Sequence, residues 1–249
     1  MFNSLKDLNP VLLAFIAGTA TFIITSLGSS IVFFFKKNNK TINEAMLGFS
    51  AGIMIAASFF SLILPAIEYE NINILYPTII GFFLGTVLLY ILEKACSKFE
   101  SKKSLLLLFS ITLHNIPEGL AIGVAFGSLA KTNIGAAIAV AIGIGIQNFP
   151  EGSAISLPLL KEGYSRTKAF IYGSLSAIVE PIFACIGAYL VIKVTTILPY
   201  MLMFAASAMI FVSIAELIPE SQKSQKKDIM SIVFMIGFLI MTILDLAFS

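Results

Sequence analysis

The feature that most constrains this chain is a rhythm of apolar runs. Eight of them, each long enough to cross about 30 Å of hydrocarbon at 1.5 Å per residue, alternate with short polar connections over 249 residues. They lie near 10–34, 44–66, 77–93, 105–128, 134–159, 168–192, 199–220 and 229–248. A backbone in lipid must satisfy its own hydrogen bonds, so each run is predicted to be an α-helix. The expected fold is all-α: a polytopic bundle of eight transmembrane helices forming one domain over 1–249. Composition agrees. The chain is 58% hydrophobic and 12% charged, whereas a soluble domain is about half apolar and a quarter charged.

The connections set the expected orientation. The basic segments near 36–40, 94–103, 161–168 and 223–227 hold 13 of the 16 Lys and Arg; only Lys6, Lys131 and Lys193 fall elsewhere. All four lie on one side of an eight-helix alternation. The positive-inside rule makes that side cytoplasmic and both termini extracytoplasmic, in a multi-pass protein of the cytoplasmic membrane. Thr41-Ile-Asn-Glu44 reads as a capping box ahead of the second helix. Pro77 and Pro199 suit first helical turns. Pairs such as Gly48/Gly52, Gly81/Gly85 and Gly119/Gly123/Gly127 suit close helix packing in lipid. A net charge of +2, with the basic residues confined to connections, points away from nucleic acid and leaves the lipid bilayer as the partner. Cys96 and Cys185 form no CxxC pair and no disulfide framework. The first run is too long for a signal-peptide core and lacks a small-residue cleavage site, so no cleavable leader is expected.

Within these runs lie groups that lipid penalises. Glu118 falls near the centre of the fourth run, Glu151 in the inner part of the fifth and Glu180 at the centre of the sixth. Each mid-membrane carboxylate costs at least about 2.5–3.5 kcal/mol, and no Lys or Arg sits at matching depth. They are therefore protonated or share a cation. His114, the only histidine, precedes Glu118 by four residues, one helical turn, and Gln147 precedes Glu151 by the same interval. Asn115 and Asn148 follow the first member of each pair. Two antiparallel helices with like motifs at mid-depth fit an inverted repeat with a binding site at its interface. Pro117 and Pro150 each remove a helical donor and free a carbonyl one turn back. Gly119 and Gly152 admit a neighbouring helix. Taken singly, a membrane histidine is also a hydrogen-bonded packing residue and a proline only a kink. The duplication, with a third buried glutamate, favours a site.

One imidazole with several carboxylate and amide oxygens suits borderline divalent metals such as Zn²⁺, Fe²⁺, Mn²⁺ or Co²⁺, and the absence of thiolate speaks against Cu(I). The candidate metal ligands are His114, Asn115, Glu118, Gln147, Asn148, Glu151 and Glu180.

At these residues the chain resembles the ZIP (Zrt/Irt-like protein) family of divalent-metal transporters, especially its prokaryotic members. The resemblance rests on His114-Asn115-Ile116-Pro117-Glu118-Gly119, on Gln147-Asn148-Phe149-Pro150-Glu151-Gly152 and on Glu180 in "AIVEP". It implies eight helices with both termini outside, and import of zinc or related ions, Cd²⁺ included, as cargo rather than as a prosthetic group. Implied too are a two-metal site, rocking or elevator motion of one helix group against another, and often a homodimer. By this resemblance His114, Glu118, Gln147 and Glu151 match one metal site. Asn115, Asn148 and Glu180 match its neighbour, with Glu118 and Glu151 bridging. Ser61 and Met54 resemble the outer approach, or are packing residues. Glu216 and Glu220 resemble an exit path, or a solvated helix end. The connection "KACSKFESKKS" has no histidine, so metal regulation through it is not expected.

No catalytic residues are expected. A membrane metalloenzyme is a competing reading, but HExxH is absent and a catalytic zinc usually takes more imidazole or thiolate. A proton- or sodium-coupled carrier of an organic solute is the other, with the glutamates as a relay.

Overall fold

The computed structural model describes residues 8–34, 40–69, 73–96, 103–129 and 134–248. These residues are almost wholly helical, with no β-strand among them. In chain order α1 is Pro10–Ser29, extended by the turn Ile31–Phe34. Helix α2 is Lys40–Ala57, continued by a wider stretch Ser58–Ile63 and a last turn Leu64–Ile67. Then come α3 (Leu75–Cys96), α4 (Lys103–Gly127) and α5 (Ile134–Lys161). Helix α6 is in two pieces, α6a (Arg166–Leu175) and α6b (Val179–Lys193). Helix α7 is Leu198–Val212, a wider stretch Ser213–Leu217 and a final turn Ile218–Ser221, and α8 is Lys227–Phe248. Seven segments among the described residues are long and apolar enough to cross a membrane. The remaining helix, α4, has 25 residues, about 37 Å at 1.5 Å each, and carries the first polar motif.

Local chemistry explains most boundaries. Asn9 caps α1, its side-chain oxygen accepting from the Val11 N–H at 2.9 Å, with Pro10 in the first turn. Ser165 caps α6a by accepting from the Lys168 N–H. Thr41 and Glu44, expected as a capping box, fall in the first described turns of α2, and the preceding residues 35–39 lie outside the described residues. Pro77 and Pro199 fall in first turns as expected.

The wider stretches share one construction. In each, a backbone N–H reaches five residues back, Leu64 to Phe59 and Ile218 to Ser213, which makes one π-type turn. In each, a buried serine hydroxyl donates to a methionine carbonyl four residues back: Ser58 to Met54 at 2.7 Å, Ser213 to Met209 at 2.9 Å. A proline follows each, Pro65 and Pro219. It has no N–H for the carbonyl one turn earlier, so the ladder is already broken there.

The packing repeats with inverted order. Exchanging α1–α2–α3 with α6–α7–α8, and α4 with α5, maps the main contacts onto one another. The α2–α8 pair maps onto α7–α3, α4–α6b onto α5–α1, and α2–α5 onto α7–α4. Two groups of four helices result: α1, α4, α5 and α6, and α2, α3, α7 and α8. Within each group glycines let backbones touch. A Cβ on Gly123 would strike the Ala184 carbonyl, one on Gly152 the Thr25 carbonyl, one on Gly52 the Phe234 carbonyl and one on Gly85 the Phe204 carbonyl. Between the groups, Gly143 of α5 meets only the flexible Met241 side chain of α8 and, at 3.9 Å, the Ile53 side chain of α2. Each group is interlocked through backbone at these glycines, whereas Gly143 at the seam faces side chains. Phe83 of α3 and Leu246 of α8 point outward, as a lipid-facing surface requires.

Candidate metal site

The two motif copies face each other at the middle of the bundle, in the group α1–α4–α5–α6. Helices α4 and α5 run unbroken through Pro117 and Pro150. Asn115, Glu118, Gln147, Asn148, Glu151 and Glu180 are all buried, none more than 2% exposed. His114 lies on α4 one turn before Glu118, and its side chain is outside the described residues. Gly119 sets the spacing to α6b, since a Cβ there would stand 2.6 Å from the Glu180 carbonyl oxygen.

The cluster falls into two halves. In the first, Gln147 Nε2 donates to Glu118 Oε1 at 2.6 Å. Among the described residues Glu118 Oε2, Gln147 Oε1 and both carboxylate oxygens of Glu151 have no hydrogen-bond partner, and neither do the side-chain oxygen and nitrogen of Asn115, which no hydrogen bond ties to either half. In the second, Asn148 Nδ2 donates to both Glu180 oxygens, 2.9 Å to each, and more weakly to the Thr21 carbonyl at 3.4 Å. The Thr21 hydroxyl donates to the Gly18 carbonyl at 2.9 Å, and among the described residues only Asn148 Oδ1 is unpartnered in this half.

Helix α6 positions Glu180 in a way the sequence reading did not foresee. The run 168–192 was expected to be continuous. Instead it breaks at 176–178, where Ala177, Ile178 and Glu180 each bond three residues back, to Ser174, Leu175 and Ala177. Pro181 cannot donate to the Ala177 carbonyl, which explains the tightened turn. Glu180 therefore occupies the first turn of a new helix, where backbone N–H groups and the helix dipole favour a negative charge.

An unpartnered oxygen buried in a protein costs about 1–3 kcal/mol, and Glu118, Gln147 and Glu151 hold four of them in the first half. A divalent cation would satisfy them together. Carboxylate and amide oxygens fit such an ion. Among the described residues no three His, Cys, Asp or Glu side chains converge tightly enough to hold a metal by themselves.

Other expected residues take varied places. Met54 is buried within α2. Ser61, in the wider stretch of α2, donates to Asp245 Oδ1 of α8 at 2.9 Å. Asp245 was not singled out from sequence, although an acid inside an apolar run is the same signal that flagged the three glutamates. Glu216 lies in the wider stretch of α7, and Glu220 sits exposed at its end, paired with Lys223. Ser50 of α2, also not foreseen, donates to the Gln147 carbonyl at 3.2 Å and brings the second helix group to the edge of the site.

A multi-pass α-helical membrane protein with a buried cluster of carboxylate and amide side chains at its centre, on helices whose contacts repeat in inverted order, has the build of a membrane transporter. The chain belongs to the ZIP family: the family model described as ZIP Zinc transporter matches residues 100–245. The chain is 31% identical to human zinc transporter ZIP11, covering 90% of this chain and 94% of the relative. It is 32% identical to zinc transporter ZupT of Streptococcus mutans, covering 94% and 97%. It is also 32% identical to zinc transporter ZIPB of Bordetella bronchiseptica, covering 94% and 81%. The family is one of transporters, not enzymes.

Proposed function

We propose that this protein imports a divalent metal ion, Zn²⁺ first among Fe²⁺, Mn²⁺, Co²⁺ and Cd²⁺, across the cytoplasmic membrane. The seat is formed by Glu118, Glu151 and Gln147 with His114, bordered by Asn115; Asn148 and Glu180 complete the polar cluster. The observation that carries the reading is the set of buried, unpartnered oxygens on Glu118, Glu151 and Gln147. The names of the relatives, all zinc transporters, favour zinc. The lysine-rich ends of the helices face the cytoplasm under the positive-inside rule.

Movement of the α1–α4–α5–α6 group against α2–α3–α7–α8 exposes the seat to each side in turn. The interlocked glycines within each group and the side-chain seam between them support motion of whole groups. Neutral amide ligands ease release, since they bind borderline metals less strongly than imidazole or thiolate. Carboxylate and imidazole ligands must be deprotonated to bind, so loading displaces protons.

The test is zinc uptake into proteoliposomes, with iron, manganese, cobalt and cadmium as competitors. Glu118→Ala combined with Glu151→Ala is expected to reduce uptake to the level of empty liposomes. Flux equal to the parent protein would sink the assignment.

A further inference from the structure

We infer that this chain holds one metal ion at a time, at the Glu118–Glu151–Gln147 half of the cluster. Thr21, Asn148 and Glu180 form a tie that closes the adjoining half to metal. The inference rests on the transport site proposed above and specifies how many ions it takes.

The first argument is direction. Asn148 presents its N–H₂ group, not its oxygen, to both oxygens of Glu180 at 2.9 Å. A cation between the two would meet this N–H₂ group, and both oxygens of Glu180 already accept charge-assisted hydrogen bonds from it, whereas Glu118 beside the Gln147 amide keeps Oε2 free. The amide cannot reverse at no cost. Its nitrogen also faces the Thr21 carbonyl at 3.4 Å, and a carbonyl, like a carboxylate, only accepts. A reversed amide would set Oδ1 against acceptors on α1 and α6b together.

The second argument is charge. Glu180 stands in the first turn of α6b, whose N-terminal dipole offsets a negative charge. Glu118 and Glu151 lie inside continuous helices with no such compensation. Glu118 keeps one free oxygen and Glu151 two. The need for a cation is concentrated in one half, and Glu180 is satisfied by the protein itself.

The third argument is anchoring. Thr21 is held against α5 by close backbone approaches on the following turns of α1. A Cβ on Gly152 would meet the Thr25 carbonyl, and one on Gly28 the Phe149 carbonyl. The tie thus joins α1, α5 and α6b, three of the four helices in that group. Thr21 and Asn148 act as positioning residues: they fix Glu180 and keep the seat single.

The experiment uses the full-length protein in detergent. Zinc per chain is counted by elemental analysis after desalting and by calorimetric titration, for the parent, Asn148→Asp and Glu180→Gln. Size-exclusion profiles and melting curves establish that each variant is folded. The expected results are one zinc for the parent and one for Glu180→Gln. Asn148→Asp, which replaces the donor with a second carboxylate, is expected to bind two. Two zinc ions in the parent would overturn the inference and leave the transport site standing. None in the parent would remove the site and the inference with it. Loss of the ion in folded Glu180→Gln would make Glu180 a ligand and overturn the tie, even if Asn148→Asp did not fold.

Discussion

Gln147 Nε2 donates to Glu118 Oε1 across 2.6 Å, so the first letter of one motif copy holds the glutamate of the other. The contact bridges α4 and α5 at the pseudo-symmetric centre of the bundle. It leaves Gln147 Oε1 and Glu118 Oε2 without a hydrogen-bond partner among the described residues. A neutral amide thus orients one carboxylate and leaves its own oxygen available to the seat proposed above.

Replacing that amide by imidazole should strengthen the seat. Gln147→His is expected to tighten zinc binding about tenfold, equivalent to about 1.4 kcal/mol, and to slow turnover by delaying release. Competition titration against a chelating dye reads the first effect and liposome uptake the second. Unchanged affinity would place Gln147 outside the ligand set.

Proton release follows from the ligand chemistry. Zinc competes with protons for carboxylate and imidazole, so apparent affinity is expected to fall as pH falls. Calorimetry in buffers of different ionisation enthalpy measures the protons released per ion bound. A binding heat independent of buffer would mean that none are displaced.

The glycine contacts predict unequal sensitivity inside and between the helix groups. Gly152→Ala forces α5 away from the Thr25 carbonyl of α1 and should cost about 1–3 kcal/mol. Gly143→Ala meets only the mobile end of Met241 and a distant Ile53 methyl, and should cost under about 1 kcal/mol. Thermal melts in one detergent compare them; equal losses would argue against a soft seam.

The Ser61–Asp245 hydrogen bond joins α2 to α8 across 184 positions of sequence. A double-mutant cycle with Ser61→Ala and Asp245→Asn is expected to give a coupling of about 0.6–1.7 kcal/mol, the range for polar pairs between membrane helices. Additive effects would show that the two side chains do not act together.

The helix count and the cluster were legible because lipid punishes every exception to apolarity. Eight runs had to be helices, and three glutamates inside them had to have a reason. What happens at each proline was not legible. Pro117 and Pro150 sit within unbroken helices, Pro181 follows a break, and Pro65 and Pro219 follow wider turns. The residue is the same in each case, and the outcome depends on what the neighbouring helices supply to the freed carbonyl. The letter Asn at 148 likewise does not say which end of the amide faces the cluster. The carbonyl of Thr21, 127 positions away, decides it.

The wider stretches in α2 and α7 have a consequence for orientation. One extra residue in a turn rotates everything after it by about 100° around the helix axis. In α2 the side that brings Ser50 to Gln147 is therefore not continued by the side that turns Ser61 to Asp245. Deleting a single residue from Ser58–Ile63, or from Ser213–Leu217, would restore a regular spiral yet swing the proline-bearing tip away by more than a quarter turn. At these two places residue number alone steers which partner the end of the helix meets.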